Sequence, residues 1–363
     1  MEPSELARIH EEQVLALRAR VSQLDAEIRR YRENAGAWHE AAEIIVEAVR
    51  AVEPYPRVKQ TPLDKALLSP YSMSAVADVS DLHVGEFIRP EETEGFGSFN
   101  WLIAQQRMFQ YTEKLIGWTA MHRRSFLVPK LHIFAKGDYV SGDIHDELRR
   151  TNEFPTPVQA VNAGHLLGEF IARLSAHYDE IEVDCVGADN HGRLVPKPQK
   201  KQKAANSFSF IVHAIAQKYV ANSKNVKFVI AEGMKMVVPV NGHSFLIEHG
   251  DEVKAYMGIP YYGMGRMLGR EARRRMREEG LRFNYWSIGH WHVPAIVEGE
   301  ILVNGSLSGT SEYDHSQGRH ADPAQVSYMV HPKYGVFDWT AWKFKRSEDK
   351  DGRETQGKTG SGA

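Results

Sequence analysis

The sequence predicts an α/β chain of the α+β type, in which two mixed β-sheets form a sandwich flanked by helices. Apolar, β-branched runs alternate with amphipathic helical stretches over residues 70–345. The early strand runs are separated by helical stretches long enough to connect parallel strands. The later runs have hairpin spacing, as at Glu298-Gly299-Glu300. Residues 70–345 are therefore predicted to form one large domain with both parallel and antiparallel strands.

The elements of this domain follow from periodicity and from glycine and proline breaks. Predicted strands lie near residues 73–80, 128–136, 180–187, 226–231, 235–240, 243–248, 283–289 and 295–304. Predicted helices lie near residues 99–122, 157–177, 205–220 and 265–280.

A heptad pattern in residues 1–35 predicts an N-terminal coiled-coil helix. β-Branched residues occupy a positions at Val14, Val21 and Ile28, and leucines occupy d positions at Leu17 and Leu24. That combination favours a parallel two-stranded coil, and so a homodimer. The alternative is an amphipathic helix that folds back on its own domain.

The segments outside the catalytic region are simpler. Residues 36–69 are predicted to form a helical linker, with a helix over about 37–52 that ends before Pro54. Residues 346–363 are charged and then rich in Gly, Ser and Thr, which predicts a disordered tail.

Composition points to a globular cytoplasmic enzyme. The chain has 363 residues, a net charge of −2 and one cysteine, so an internal disulfide is excluded. A membrane span needs roughly 18 or more consecutive apolar residues, and no stretch approaches that length. The acidic N-terminus lacks the basic and apolar regions of a signal peptide. We expect no membrane partner.

Five acid–histidine clusters follow the predicted strands. They read Ser-Asp-Leu-His at 80–83, Lys-Gly-Asp at 136–138, Asp-Asn-His-Gly-Arg at 189–193, Glu-His-Gly-Asp at 248–251 and Gly-His-Trp-His at 289–292. Each cluster alone could be an ordinary loop. Because the carboxyl ends of strands in one sheet converge, we expect the five to meet. Asp, Asn and neutral His are ligands for Mn²⁺, Fe, Zn²⁺ or Mg²⁺, so the pattern predicts a two-metal hydrolytic site.

Spacing within the clusters supports convergence. Asp81 and His83 are two residues apart, as are His290 and His292. In an extended segment such pairs project on the same side. Asp138 follows a glycine and could bridge two cations about 3.5–4 Å apart.

The ordered blocks resemble the calcineurin-like metallophosphoesterase superfamily, which includes purple acid phosphatases, cyclic-nucleotide phosphodiesterases and the Mre11/SbcD nucleases. The resemblance covers residues 73–331, and the Asn-His-Gly-Arg block looks like phage-type members. It implies the two-sheet fold and two divalent cations, with Mn²⁺ favoured and Fe, Zn or Mg possible. The resemblance assigns one cation to Asp81, His83, Asp138 and His292. It assigns the other to Asp138, Asn190, His249 and His290, with Asp138 central to catalysis and His191 as the acid that protonates the leaving oxygen.

One block departs from the family pattern. Asp189 stands where Gly is usual, and Gly192 stands where an acid usually follows the histidine. Since that acid commonly orients the histidine, its loss favours one alternative, a weakly active metal-binding scaffold recruited by its coiled coil. Arg193 is an unusual neighbour that we expect to contact a substrate phosphate.

The expected reaction is hydrolysis of a phosphodiester by water that the two metals activate, with DNA as the favoured substrate. Arginines at 266, 270, 273, 274 and 277 recur at helical spacing, and Arg273 and Arg277 are predicted to contact the nucleic-acid backbone. A solvated helix face explains the same pattern. The enzymatic alternative is a phosphomonoesterase or a small-nucleotide phosphodiesterase.

Overall fold

The computed structural model describes residues 43, 45–56, 71–195 and 197–344. The predicted coiled coil at 1–35 and the predicted tail at 346–363 lie outside the described residues. Within the linker, residues 45–51 are helical, as the sequence predicted. In the described part of the chain, no helix is both long and apolar enough to cross a membrane.

Two mixed sheets form the described part of the catalytic region. The strands are β1 (Ser72–Val79), β2 (Leu127–Ala135), β3 (Glu180–Cys185), β4 (Val226–Ile230), β5 (Lys235–Val240), β6 (His243–Glu248), β7 (Tyr285–Ile288), β8 (Ala295–Val297), β9 (Ile301–Val303), β10 (Ala324–His331) and β11 (Gly335–Lys343). The first sheet has the order β11-β10-β1-β2-β3-β4, and the second has the order β5-β6-β7-β9-β8. Strands β1 to β4 run parallel, as do β6, β7 and β9.

The helices connect and cover these sheets. They are α1 (Trp101–His122), α2 (Asp146–Thr151), α3 (Thr156–Ser175), α4 (Phe208–Tyr219), α5 (Tyr261–Arg275) and α6 (Glu312–Ser316). Helix α1 packs on the first sheet, where the Tyr111 hydroxyl donates to the carbonyl of Val326 at 2.8 Å. Tyr111 also stacks on Phe170 of α3, with ring centroids 5.2 Å apart. The predicted sandwich of two mixed sheets with flanking helices is confirmed.

Most elements lie where the sequence predicted them, and two strands were missed. Strands β10 and β11 were not predicted, although β10 is buried along its whole length. Gln325 and Ser327 interrupt its apolar pattern because they face a buried polar network beside β1. Helix α5 begins at Tyr261 and ends at Arg275, earlier at both ends than the predicted 265–280.

Two apolar clusters hold the layers together. The first lies between the sheets and includes Val76, Phe134, Phe245, Ile247 and Tyr328. The second lies on the outer face of the second sheet, where Met264 and Leu268 of α5 pack on Trp286 and Ile288. The sheets are therefore fixed face to face, with the carboxyl ends of their parallel strands free to carry other side chains.

A buried ion pair of the first sheet is hydrogen-bonded to Ser287 of the second sheet just below those strand ends. Lys136 Nζ lies 2.9 Å from Asp78 Oδ1 and donates to Ser287 Oγ at 2.7 Å. All three side chains are fully buried. Burial raises the pKa of Asp78 and lowers that of Lys136, and the attraction between the two charges opposes both shifts. The pair depends on both partners, since a single buried charge is costly.

We expect Lys136→Ala to lower the free energy of unfolding by about 3–5 kcal/mol, because Asp78 would be left buried without its cation. Lys343→Ala is the matched control. It removes an exposed pair with Asp322 and should cost less than about 1 kcal/mol. Urea denaturation of both variants measures the difference, and equal losses would contradict the role given to the buried pair.

Candidate metal centre

The predicted ligands gather at the carboxyl ends of parallel strands from both sheets. Strands β1, β2 and β3 of the first sheet lead into the first three clusters, and β6 and β7 of the second sheet lead into the last two. The side chains brought together in this way are Asp81, His83, Asp138, Asn190, His191, His249, His290 and His292. The expected convergence is therefore found across the sandwich.

The local backbone differs from the predicted one. We expected extended segments, but Asp81 and His83 have φ values of 55° and 46°, and His290 and His292 have values of 68° and 58°. Asp138 is also left-handed, with φ of 49°. Such conformations are uncommon for residues other than glycine and occur where surrounding structure imposes them, often at functional sites. The pairs converge because the chain turns at each strand end, not because it continues straight.

Backbone hydrogen bonds impose these turns. The Asp81 amide donates to the Gly137 carbonyl at 3.0 Å, and the His83 amide donates to the Asp138 carbonyl at 3.1 Å. Gly289 lets the β7 cluster approach closely, since a Cβ there would lie 2.4 Å from Asp81 Oδ2. The His290 amide donates to the other oxygen, Asp81 Oδ1, at 2.9 Å. The ligand loops thus position one another.

One group of ligand atoms comes from Asp81, His83 and His292. Their closest ligand atoms all lie within 4.8 Å of one another. His83 Nε2 is 3.1 Å from His292 Nε2, and His292 Nε2 is 3.6 Å from Asp81 Oδ1. Nitrogen and oxygen donors that point into one small volume are the ligands that a divalent transition metal prefers.

A second group comes from Asp138, Asn190, His249 and His290. His249 Nε2 lies 2.9 Å from Asp138 Oδ2 and 3.0 Å from Asn190 Oδ1. His290 joins Asp138 and His249 within 4.8 Å. These four residues are the set that the resemblance implied for the second cation.

Asp138 belongs to both neighbourhoods. Besides the His249 group, it forms a group with His83 and His191 within 4.8 Å. Its Oδ2 is buried, with His249 Nε2 2.9 Å away, and His83 Nδ1 is buried without a hydrogen-bond partner among the described residues. A buried carboxylate is costly unless a proton on a neighbour or a cation compensates its charge. The donor set and this oxygen fit two divalent cations that share Asp138.

The electrostatics of the polypeptide alone agree with this fit. Burial disfavours the charged form of Asp138, but the attraction of His249 and His191 outweighs it and lowers the pKa of Asp138 well below its ordinary value. Burial would lower the pKa of His249, yet Asp138 raises it to about 10. Burial lowers the pKa of His290 to about 3. The ionised Asp138 carboxylate is stabilised by a neighbouring positive charge, which either a proton on His249 or a bound cation can supply.

His191 is tied to the centre by both its backbone and its ring. Its amide donates to Asp138 Oδ1 at 2.9 Å, and its Nδ1 lies 2.6 Å from the Ser141 carbonyl. That contact fixes Nδ1 as the proton-bearing nitrogen and leaves Nε2 directed elsewhere. Burial lowers the pKa of His191, and Asp138 partly opposes the shift.

The departure at Asp189 and Gly192 has a steric explanation. The Gly192 amide donates to Asp189 Oδ1 at 2.7 Å, and the Ser209 hydroxyl donates to Asp189 Oδ2. A Cβ on Gly192 would lie 2.6 Å from Asp189 Oδ1 and 2.5 Å from Ser207 Oγ. Asp189 therefore fills the space beside residue 192, and its carboxylate braces the loop that carries the Asn-His pair. Burial raises the pKa of Asp189 to about 7.

Sequence reasoning missed the groups behind the imidazoles. Asp314 Oδ2 lies 3.9 Å from His292 Nδ1, and Glu86 Oε2 lies 4.0 Å from His83 Nδ1. The Lys136 carbonyl lies 3.0 Å from His249 Nδ1. The Lys136 carbonyl is within hydrogen-bond distance and can orient the His249 ring. The two carboxylates lie farther away and act on their imidazoles through their charge. A trace of this was visible, because Ser311-x-x-Asp314 has the spacing of a helix capping box, which the structure contains.

Of the three arginines predicted to contact the substrate, only Arg193 lies beside the ligand residues. Arg193 lines a cavity of about 260 Å³ together with Asn190 and His290, so it lies beside the second ligand group. Arg273 is exposed on α5, and its Nε donates to the Gly269 carbonyl of the same helix. Arg277 is exposed just beyond the end of α5. The contacts of the described residues join neither arginine to the ligands.

Comparisons with known proteins find solved structures of low sequence identity. No family model matches the chain, and no curated protein matches it. A predicted phosphoesterase from Streptococcus pneumoniae TIGR4 is 11% identical, with 75% of this chain and 99% of that chain covered and a TM-score of 0.27. Vacuolar protein sorting 29 from Cryptosporidium parvum is 12% identical, with 75% and 100% covered and a TM-score of 0.29. A protein serine/threonine phosphatase from Saccharomyces cerevisiae is 11% identical, with 86% and 91% covered and a TM-score of 0.28.

We expect Asp138→Asn to reduce metal binding at both positions, because one carboxylate serves both ligand groups. His83→Ala should chiefly weaken one position, and Asp143→Asn, which alters an exposed neighbour, should weaken neither. Elemental analysis after chelation and reloading with Mn²⁺ measures the stoichiometry. Two Mn²⁺ per chain in Asp138→Asn would reject the bridging role.

Gly192→Asp should destabilise the fold, because the new side chain would overlap Asp189 and Ser207. The double change Asp189→Gly with Gly192→Asp removes the side chain that the new one would overlap and should recover much of the lost stability. Thermal denaturation of the two single variants and the double variant forms the required cycle. Additive losses in the double variant would show that the two positions do not share this space.

Proposed function

We propose that this protein is a dinuclear metal-dependent phosphoesterase. The observation that supports it most is the placement of the buried Asp138 carboxylate between two groups of nitrogen and oxygen ligands. When bound, two divalent cations lower the pKa of water and neutralise charge that develops on a phosphoryl group. The ligands are contributed by both sheets, so the rigid sandwich sets their separation.

The chain's own residues supply positioning and proton transfer. Asp138 holds His191 through the backbone amide, and the Ser141 carbonyl orients the imidazole ring. We infer that Nε2 of His191 faces the substrate and that, when protonated, it donates its proton to the leaving oxygen. The Asp138 charge favours the imidazolium against the cost of burial. We infer that Arg193, which lines the adjoining cavity and whose guanidinium donates to the Asn190 and Val195 carbonyls, contacts a phosphate oxygen of a bound substrate.

Among substrates we propose a phosphodiester, with DNA as the leading candidate. Support comes from the exposed arginines of α5 at 266, 270, 273 and 274, which project into solvent opposite the buried Met264 and Leu268. Cations on an open helix face suit an extended polyanion, whose binding releases counterions.

A second candidate is a phosphomonoesterase or small-nucleotide phosphodiesterase. The observation in its favour is the cavity beside Asn190 and His290, whose volume of about 260 Å³ is closer to a small ligand than to a duplex. Two ion pairs border this cavity, one joining Lys200 to Glu252 and the other joining Lys203 to Asp251.

One set of assays separates these functions. The Mn²⁺-loaded full-length protein is given a bis-aryl phosphodiester, the matching aryl monoester and labelled DNA. Hydrolysis of the diester and of DNA supports the leading proposal, whereas preference for the monoester supports the second. No hydrolysis of any substrate with two metals bound would reject the enzymatic proposal.

We expect His191→Ala to depend on the leaving group. General acids typically contribute about 10²–10⁴-fold, and nitrophenolate departs without protonation. Loss of His191 should therefore reduce hydrolysis of an alkyl phosphodiester at least tenfold more than hydrolysis of the nitrophenyl ester. Equal losses on both, at full metal content, would indicate that His191 is a ligand or a packing residue.

A further inference from the structure

An exposed aromatic hairpin follows the β6 ligand cluster. Residues 256–259 form a tight turn in which Tyr256 and Ile259 exchange two backbone hydrogen bonds of 3.0 and 2.9 Å. Met257 and Gly258 at its tip have φ of 49° and 79°, the paired positive values of a two-residue hairpin turn. Met257 is 86% exposed and left-handed, a conformation that methionine rarely adopts. The backbone is held in shape while its apolar side chains face solvent.

The exposed surface of this hairpin is aromatic. Tyr256 and Tyr262 are 66% and 67% exposed, and their rings lie 6.3 Å apart. Tyr261 and Ile259 beside them are also largely exposed. Contiguous exposed apolar groups of this kind mark interaction surfaces. We name residues 256–262 the aromatic hairpin.

The aromatic hairpin is connected to the metal centre along the chain and through Arg319. It follows His249 by a few residues, and the intervening Asp251 and Glu252 line the cavity that contains Asn190 and His290. On another side its tip approaches Arg319, whose Nη2 is 3.5 Å from the position of a Cβ on Gly258. The Arg319 amide in turn donates to the carbonyl of Asp314, the residue that faces His292.

A stripe of cations continues from the aromatic hairpin. Tyr262, Arg266, Arg270 and Arg273 recur at spacings of four, four and three on α5, and all are exposed. The stripe is about 17 Å long at 1.5 Å per residue. Among the described residues, neither Arg266 nor Arg270 forms an ion pair. The surface therefore presents stackable rings first and unneutralised guanidinium groups next.

We propose that the aromatic hairpin and this stripe form a docking surface for single-stranded nucleic acid. The inference rests on the proposed phosphodiester hydrolysis, which places the scissile phosphate at the metals. Unpaired bases stack on Tyr256 and Tyr262, and the following phosphates bind Arg266 and Arg270. Aromatic platforms combined with a cationic track are the usual means of holding single strands without sequence preference. In a duplex each base is already stacked between its neighbours, so no base face is free to stack on the two tyrosine rings.

Binding is measured apart from cleavage. Fluorescence anisotropy follows a labelled oligodeoxythymidylate with the full-length protein in EDTA, so that no hydrolysis occurs. The double variant Tyr256→Ala with Tyr262→Ala should raise Kd at least tenfold, since stacking on such side chains is a large share of single-strand affinity. Hydrolysis of the bis-aryl diester by the Mn²⁺-loaded variant should stay within twofold of wild type.

Matched controls lie at the other end of the first sheet. Tyr334, 70% exposed, follows the end of β10, which pairs with the start of β1, and Tyr334→Ala should leave Kd unchanged. Arg266→Gln with Arg270→Gln should raise Kd and reduce the salt slope by about 1.4, from about 0.7 per phosphate contact on a single strand. Arg124→Gln, an exposed cation between α1 and β2, should alter neither quantity.

The outcomes separate this proposal from the proposed function. Unchanged oligonucleotide binding in the tyrosine double variant overturns the docking surface, as does a duplex that binds more tightly than the single strand. If wild type hydrolyses the aryl diester but does not bind the oligonucleotide, the phosphoesterase stands and the docking surface falls. If wild type binds the oligonucleotide through these tyrosines but hydrolyses no phosphoester, the docking surface stands and the phosphoesterase falls.

Discussion

The organisation of this molecule depends on carboxylates that are buried at one end of the sandwich. Asp78, Asp81 and Asp138 are all fully buried near the ends of adjacent strands. A buried carboxylate needs a positive partner, because burial alone would force it to take up a proton. Lys136 serves Asp78 from within the fold. Asp81 and Asp138 have imidazoles as neighbours instead, and this leaves their charge available to exchangeable cations.

The sequence was sufficient to predict which side chains converge at the strand ends and the order in which they follow along the chain. Asp, Asn and His rarely follow one buried strand after another by chance. The clusters therefore predict a shared site even if the predicted strand boundaries are wrong by a few residues. The two-sheet arrangement was also predictable, since strand spacing separates helical crossovers from hairpins. Strand β10 escaped because Gln325 and Ser327 are polar, and only their partners in the fold, Asn304 and Tyr111, explain why they are buried.

What the sequence could not supply are contacts made through space. The left-handed backbone at Asp81 and His83 follows from hydrogen bonds to the β2 loop, which no local pattern indicates. In the sequence, Asp189 stands where Gly is usual and Gly192 stands where an acidic residue is usual. From the sequence alone this looked like the loss of the acid that orients the histidine. In the fold it is one change of packing, since Asp189 occupies the space that a side chain at 192 would need.

The order of the ligands along the chain has a consequence for synthesis. The first lies at Asp81 and the last at His292, and β10, which pairs with β1, is complete only at His331. A ribosome-bound chain therefore holds scattered ligands long before it holds both complete sets. The proposed phosphoesterase activity would therefore arise only after β10 has been synthesised and has paired with β1, and shorter nascent chains would be harmless to cellular polyanions.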